Sequence, residues 1–283
     1  MSSGAVALPA MYSSEAGLRG DMLLHLEDRA AASFYTGSMF RIIRPFPFDS
    51  IRLIVFDLDG TLIDSRQDLC NSVNATLTHF GLRALEDDVI ASFIGDGAAM
   101  LIRRALAIPA QLPGDVPEGA AAEAFFEEAF AYFLAYYRMH KLDFTQVYPG
   151  VIDSLEALKT LPDGSARQMA VLTNKPVGPA RAICEGLGIS KYFFSVYGGD
   201  SFATKKPDPL GLLRLMAEAG AAPEETLMVG DSDVDVRTAR NAGAWVLGCS
   251  FGLAPESLAS VEPDAMADHA SAWAAIGGAK IHA

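Results

Sequence analysis

Cysteine is scarce: the 283-residue chain has three, Cys70, Cys184 and Cys249, far apart and without a C-x-x-C pair. This excludes a disulfide-stapled scaffold and gives no zinc or dithiol signature, so the chain reads as a reduced, cytoplasmic protein. Basic side chains are also few, 22 against 35 acidic, for a formal net charge of -13. Such a chain repels nucleic-acid phosphates and anionic membranes at long range, so an anionic ligand must be held by a local cationic device. No apolar run reaches the roughly 18 residues of a membrane span. The longest apolar region, from Ala120 to Tyr137, is interrupted by Glu123, Glu127 and Glu128. Nor do the first fifty residues show a basic segment followed by an apolar stretch, and they carry Glu15, Asp21 and Glu27, which targeting peptides avoid. They read as an extension of unassigned role, with Met39 as an alternative start. The expected partner is a small molecule, with no nucleic acid and no membrane; oligomeric state is not readable.

What is present in quantity is apolar sequence, 51% of residues. The length exceeds one typical domain and falls short of two, which favours one larger domain carrying an insertion. Ile51 to Phe56 is a β-branched apolar run ending at Asp57, as a buried strand does. Similar runs lie at Met169 to Leu172, Thr226 to Val229 and Ala244 to Leu247, with a weaker one at Phe193 to Tyr197. Between them Val151 to Leu161, Pro179 to Leu187, Pro209 to Ala219 and Val234 to Ala242 have helical apolar spacing, most of them closed by Gly or Pro. This alternation predicts an α/β, Rossmann-like three-layer core with a parallel sheet, whose loops converge on a crevice at the carboxyl ends of the strands. Residues 66–147 show helical pattern and no convincing strand, so they form a small helical cap inserted after the first core strand. The core is then 51–65 and 148–283, preceded by the extension over 1–50. Helical stripes in the cap, Leu69, Val73, Leu77 and Phe126, Phe130, Phe133, Tyr137, read as packing.

The chemistry gathers at the strand ends. In Asp57-Leu58-Asp59-Gly60-Thr61 the two carboxylates, two residues apart, can share one crevice. A divalent cation would justify that pairing, as would environments that keep one carboxyl ionised while the other handles protons. Thr173-Asn174 offers a hydroxyl and backbone N–H groups ahead of a helix, a combination suited to a phosphoryl oxygen. Lys206 adds a cation on a loop stiffened by Pro207. Asp231 and Asp235, within Gly230-Asp231-Ser232-Asp233-Val234-Asp235, add carboxylates able to grip a hard ion such as Mg²⁺ from the side opposite Asp57. That run is not an EF-hand, since Val236 and Ala242 stand where such a loop needs Gly and Glu. His79 and His140 lack metal-ligand spacing.

These four segments, in order, resemble the four motifs of the haloacid dehalogenase superfamily over about 51–275. Within it the chain is most similar to the phosphoglycolate phosphatases, on Phe93-Ile94-Gly95-Asp96-Gly97, Leu101, Arg104-Ala105-Leu106, Tyr148-Pro149-Gly150-Val151, Leu172-Thr173-Asn174-Lys175-Pro176 and Gly198-Gly199-Asp200-Ser201. The resemblance implies a Mg²⁺-dependent phosphomonoester hydrolase, most simply one releasing phosphate from 2-phosphoglycolate. It implies that Asp57 becomes an aspartyl-phosphate, that Asp59 protonates the leaving alkoxide and later deprotonates water, and that Thr173, Asn174 and Lys206 bind the transferring group. Mg²⁺ would be held by Asp57, the Asp59 main-chain carbonyl and Asp231, with Asp235 in support. The substrate carboxylate would require a further cationic contact near the cap, for which Arg103 and Arg104 are candidates, with Gly95 and Gly97 giving close backbone approach. Other readings are a phosphatase of sugar phosphates or nucleotides, a sugar-phosphate mutase, a dehalogenase, and a non-catalytic binder. The dehalogenase would normally lack Asp59, and the binder would usually have lost Asp57, Asp59 or Lys206.

Overall fold

The computed structural model describes Met1 and residues 40–45, 47–108 and 120–277. The expectations for residues 2–39, 46, 109–119 and 278–283 lie outside the described residues. Along the chain the strands are β1 (Phe40–Ile42), β2 (Leu53–Phe56), β3 (Ile63–Asp64), β4 (Gln146–Val147), β5 (Gln168–Leu172), β6 (Ser195–Tyr197), β7 (Thr226–Gly230), β8 (Trp245–Cys249) and β9 (Ala265–Ala267). The helices are α1 (Arg66–His79), α2 (Asp87–Ala91), α3 (Ala98–Leu106), α4 (Ala120–His140), α5 (Val151–Leu158), α6 (Val177–Gly186), α7 (Leu210–Ala219) and α8 (Asp233–Ala242).

Seven strands form one sheet in the order β1-β9-β8-β7-β2-β5-β6, parallel throughout except that β1 runs antiparallel to β9. β2 sits near the middle and is wholly buried, which explains its unbroken Leu-Ile-Val-Phe sequence. Its side chains alternate between layers. Ile54 and Phe56 pack with Val151 and Leu155 of α5, Ile183 of α6 and the large buried Trp273, whereas Leu53 and Val55 pack with Leu212 and Leu215 of α7 and Val236 and Ala239 of α8. Each such burial contributes about 1.5–3 kcal/mol. The architecture is therefore three-layered, with helices on both faces. One difference from the sequence reading is at the amino-terminal side. Phe40–Ile42, placed in the extension, forms the edge strand beside β9, because a three-residue segment has too little pattern to announce itself.

α1 to α4 lie between β3 and β4, a two-residue antiparallel pair joining Ile63 to Val147 and Asp64 to Gln146. Both crossings between helical layer and core therefore run side by side. The junction is reinforced by buried Asp68 of α1, whose carboxylate accepts the backbone N–H groups of Phe144 and Thr145 and the Thr145 hydroxyl.

Candidate active site

Chain order reverses across β2: β5 lies on one side and β7 on the other, both parallel to it. This is the switch point where loops splay apart and leave a crevice. Asp57 stands at its centre, its N–H still donating to Val229 O at 2.8 Å, so strand pairing fixes the residue itself. The loop after β6 brings Lys206 Nζ to 2.8 Å from Asp57 Oδ1 and 2.6 Å from Asp235 Oδ1. The other Asp235 oxygen accepts the Ser232 hydroxyl and N–H at the first turn of α8. Asp231 Oδ2 accepts N–H groups of Leu253 and Ala254, at 2.7 and 3.1 Å, while Oδ1 lies 3.5 Å from the Thr61 hydroxyl.

One oxygen from each of Asp57, Asp231 and Asp235 lies within 4.8 Å of the others, all three residues being buried. Burial pushes the Asp57 carboxyl up to about 6, with Lys206 pulling it down and Asp235 adding to the rise. Burial, then Asp235 and Asp57, push Asp231 up to about 8. Burial opposes charge at Lys206, but Asp235 and Asp57 outweigh it and hold the ammonium above the ordinary lysine range. One ammonium thus serves a cluster of three carboxylates, in contact with Asp57 and Asp235. An all-oxygen donor set with uncompensated negative charge fits a hard divalent cation.

Two glycines make this packing possible. A Cβ at Gly60 or Gly252 would collide with the Asp231 side chain, and Gly60 also has φ +83°. Gly60→Ala is expected to cost on the order of 1–3 kcal/mol, since it combines strain with displacement of a buried carboxylate. Denaturant unfolding measures that loss.

Asp59 occupies a different environment. Ser65, at the start of α1, does not cap the helix; its hydroxyl donates to Asp59 Oδ1 at 2.5 Å. Lys175 Nζ donates to both Asp59 oxygens at 2.9 Å. The Tyr137 ring of α4 covers that ammonium, 4.8 Å from centroid to Nζ. Burial opposes charge at Lys175, but Asp59 and then Tyr137 hold its pKa above the usual lysine range. Asp57 and Asp59 both open into a cavity between the strand ends and helices α1, α3 and α4, with about 580 Å³ of atom-free space including its mouth. Thr173, Asn174, Lys175, Gly95 and Gly97 line it, with apolar walls from Leu69, Ile94, Leu101, Phe133 and Leu134.

Several residues singled out from sequence are placed otherwise than their expected roles require. Arg103 makes a paired contact with Glu123 at 2.6 and 3.0 Å and lies over Phe126, while Arg104 binds the Asp96 carboxylate and the Phe93 carbonyl. Neither arginine lines the cavity, because nearby acceptors within the cap take both. The Asn174 side chain donates to Gly95 O and Lys206 O, so it ties a cap loop to the lysine loop, and its N–H donors are spent there. Leu69, Phe133 and Tyr137 belong to stripes that read as packing, yet they also wall the cavity. The sequence alone does not mark Lys175, Ser65 and Tyr137 as site residues. The available signal for Lys175 was its place directly after Thr173-Asn174 at a strand end, before Pro176.

The family described as haloacid dehalogenase-like hydrolase matches residues 54–249. A phosphoglycolate phosphatase of Rhodospirillum rubrum is 39% identical over 212 residues, covering 74% of this chain and 84% of the relative. One from Chromobacterium violaceum is also 39% identical, covering 73% and 88%. Among solved structures, a predicted phosphoglycolate phosphatase from Haemophilus somnus 129PT superposes with TM-score 0.69 at 32% identity, covering 78% of this chain and 96% of that one.

Proposed function

The chain belongs to the haloacid dehalogenase-like hydrolase family, and we propose that within it the protein is a Mg²⁺-dependent phosphatase converting 2-phosphoglycolate and water to glycolate and phosphate. Similarity to relatives named phosphoglycolate phosphatase supports this substrate. So do the largely apolar cavity walls: the hydroxyls of a sugar phosphate would be buried with few partners there, whereas a two-carbon acid needs few. The phosphatase reading rests above all on Asp57, a buried carboxylate at the switch point that opens into the cavity and has Lys206 Nζ 2.8 Å from its Oδ1.

In this mechanism Asp57 attacks phosphorus and carries the phosphoryl group as an aspartyl-phosphate, while Asp59 gives a proton to the departing alkoxide. Asp59 then takes a proton from water, whose oxygen attacks phosphorus, releases phosphate and regenerates the Asp57 carboxylate. Thr173 and the backbone N–H of Asn174 hold the transferring oxygens, and Lys206 offsets their charge. Asp57, Asp231 and the Asp59 main-chain carbonyl would hold Mg²⁺, with Asp235 in support because its oxygens already serve Lys206 and Ser232. Bound there, Mg²⁺ supplies positive charge that lets an anionic nucleophile meet an anionic phosphoryl group.

Phosphate release from 2-phosphoglycolate, sugar phosphates and nucleoside monophosphates, with and without Mg²⁺, tests the proposal. Preference for 2-phosphoglycolate and loss of turnover in EDTA are expected. Preference for a sugar phosphate would overturn the substrate, and full turnover without metal would overturn the mechanism.

The raised carboxyls also set a pH dependence. Asp57 and Asp231 bind protons more tightly folded than unfolded, so in metal-free protein their contribution lowers stability as pH rises from about 4 to about 8. Mg²⁺ competes with those protons. The rise in melting temperature on adding Mg²⁺ should therefore be small near pH 6 and grow to a plateau above pH 8, as read by thermal scans. An increment independent of pH would contradict this account.

A further inference from the structure

Building on the 2-phosphoglycolate reading, we propose that Lys175 is the specificity-determining residue that recognises the substrate carboxylate, with Tyr137 of the cap positioning its ammonium. Among the described residues lining the cavity, Lys175 is the one basic residue, and Asp57 and Asp59 are the acidic ones. Arg103 and Arg104 are held by Glu123 and Asp96 away from it.

The chemistry of the substrate places its carboxylate near Lys175. Asp59 must reach the ester oxygen to protonate it. In 2-phosphoglycolate the carboxylate carbon is only two bonds from that oxygen, so a cation touching Asp59 stands in the neighbourhood of the substrate carboxylate. Lys175 touches both Asp59 oxygens, leaving one of its three N–H groups on the side covered by Tyr137. The lysine is buried, so its attraction for an incoming anion is weakly screened. It follows the end of β5 in the chain, and its head lies beneath an aromatic ring of α4, which belongs to the helical layer. Cap and core thus meet at the ammonium. An arginine on the outer surface of the cap would not offer this geometry.

Lys205 is the competing cation. Its Nζ donates to Asp96 O at 2.5 Å, but the residue is exposed and lies outside the cavity lining, so water competes for its charge.

The test compares the Mg²⁺-loaded wild type with Lys175→Met, Lys175→Gln and Lys205→Met on 2-phosphoglycolate and on 2-hydroxyethyl phosphate, which replaces the carboxylate by a neutral group. The readout is the ratio of kcat/KM for the two substrates, which a role confined to orienting Asp59 leaves unchanged. Lys175→Met is expected to lower that ratio on the order of 100-fold, chiefly through KM, as for loss of one partner of a buried charge pair. Lys175→Gln, which keeps an N–H for Asp59 and removes the charge, should do the same and covers failure of the methionine variant to fold. Calorimetry provides a readout without turnover. Wild type should bind 3-phosphonopropionate more tightly than propylphosphonate, and the Lys175 variants should bind the two alike. A wild-type preference that survives at Lys175, or disappears in Lys205→Met instead, overturns this inference and leaves the phosphoglycolate reading standing. A wild type indifferent to the carboxylate overturns both.

Discussion

Asp57→Asn is expected to reduce kcat by about 10⁴-fold or more, the scale of loss when a covalent nucleophile is removed. The same variant, free of metal, should melt higher than wild type at pH 8. The two outcomes have one cause. The wild-type carboxyl is pushed to about 6 by burial and by Asp235 against the pull of Lys206, so its ionised form is carried by the fold at a cost. Because the folded value exceeds the unfolded one, that cost is present in full above pH 6 and vanishes below about pH 4, where both states are protonated. Asparagine keeps the shape and discards the charge, and Lys206 retains Asp235. The gap in melting temperature should therefore narrow on acidification. Initial-rate assays and paired thermal scans check both outcomes; turnover surviving in the variant would rule out Asp57 as nucleophile.

Lys206→Met should also be inactive but with the opposite effect on the fold, a loss of about 3–5 kcal/mol at pH 8, since removing one member of a buried charge cluster strands the rest. Asp57 and Asp235 would lose the ammonium lying 2.8 and 2.6 Å away, and with Asp231 would form an uncompensated buried group. Urea unfolding measures the loss. Lowering pH to about 5 should recover part of it, because Asp57 and Asp231 then take up protons. A variant within about 1 kcal/mol of wild type would show that Lys206 contributes little to balancing the cluster. Comparing the two inactive variants separates chemistry from stability: one removes a penalised charge, the other the group that offsets it.

The inner strands of the sheet are legible because β2, β5, β7 and β8 are buried on both faces and so carry apolar runs that need no tertiary context. β9 is Ala-Met-Ala, a sequence with little strand preference, and it is placed by pairing with β8 on one side and β1 on the other. β3 and β4 have two residues each and are defined only by meeting across the sequence length of the cap. Asp57, Asp231, Asp235 and Lys206 can be singled out because strand ends bring charged residues to one crevice. Lys175 could not be assigned in the same way. Its sequence neighbourhood indicates a strand end, but its partner Asp59 and its cover Tyr137 arrive from distant segments, so its role depends on tertiary folding. Arg103 and Arg104 show the converse: basic residues on a cap helix suggest an anion site until Glu123 and Asp96 prove to be nearer.

The short β3–β4 pair and the Asp68 clamp make the inserted layer a closed loop whose ends meet before it leaves the core. Exchanging such a loop for another of different length and content would change little in the entropy of closing it. Such an exchange would replace Tyr137 and the apolar walls of the cavity while leaving the nucleophile, its charge balance and Lys175 as they were. A graft joined at Asp64 and Gln146 is the natural cut for reshaping the roof over the site without touching the groups beneath it.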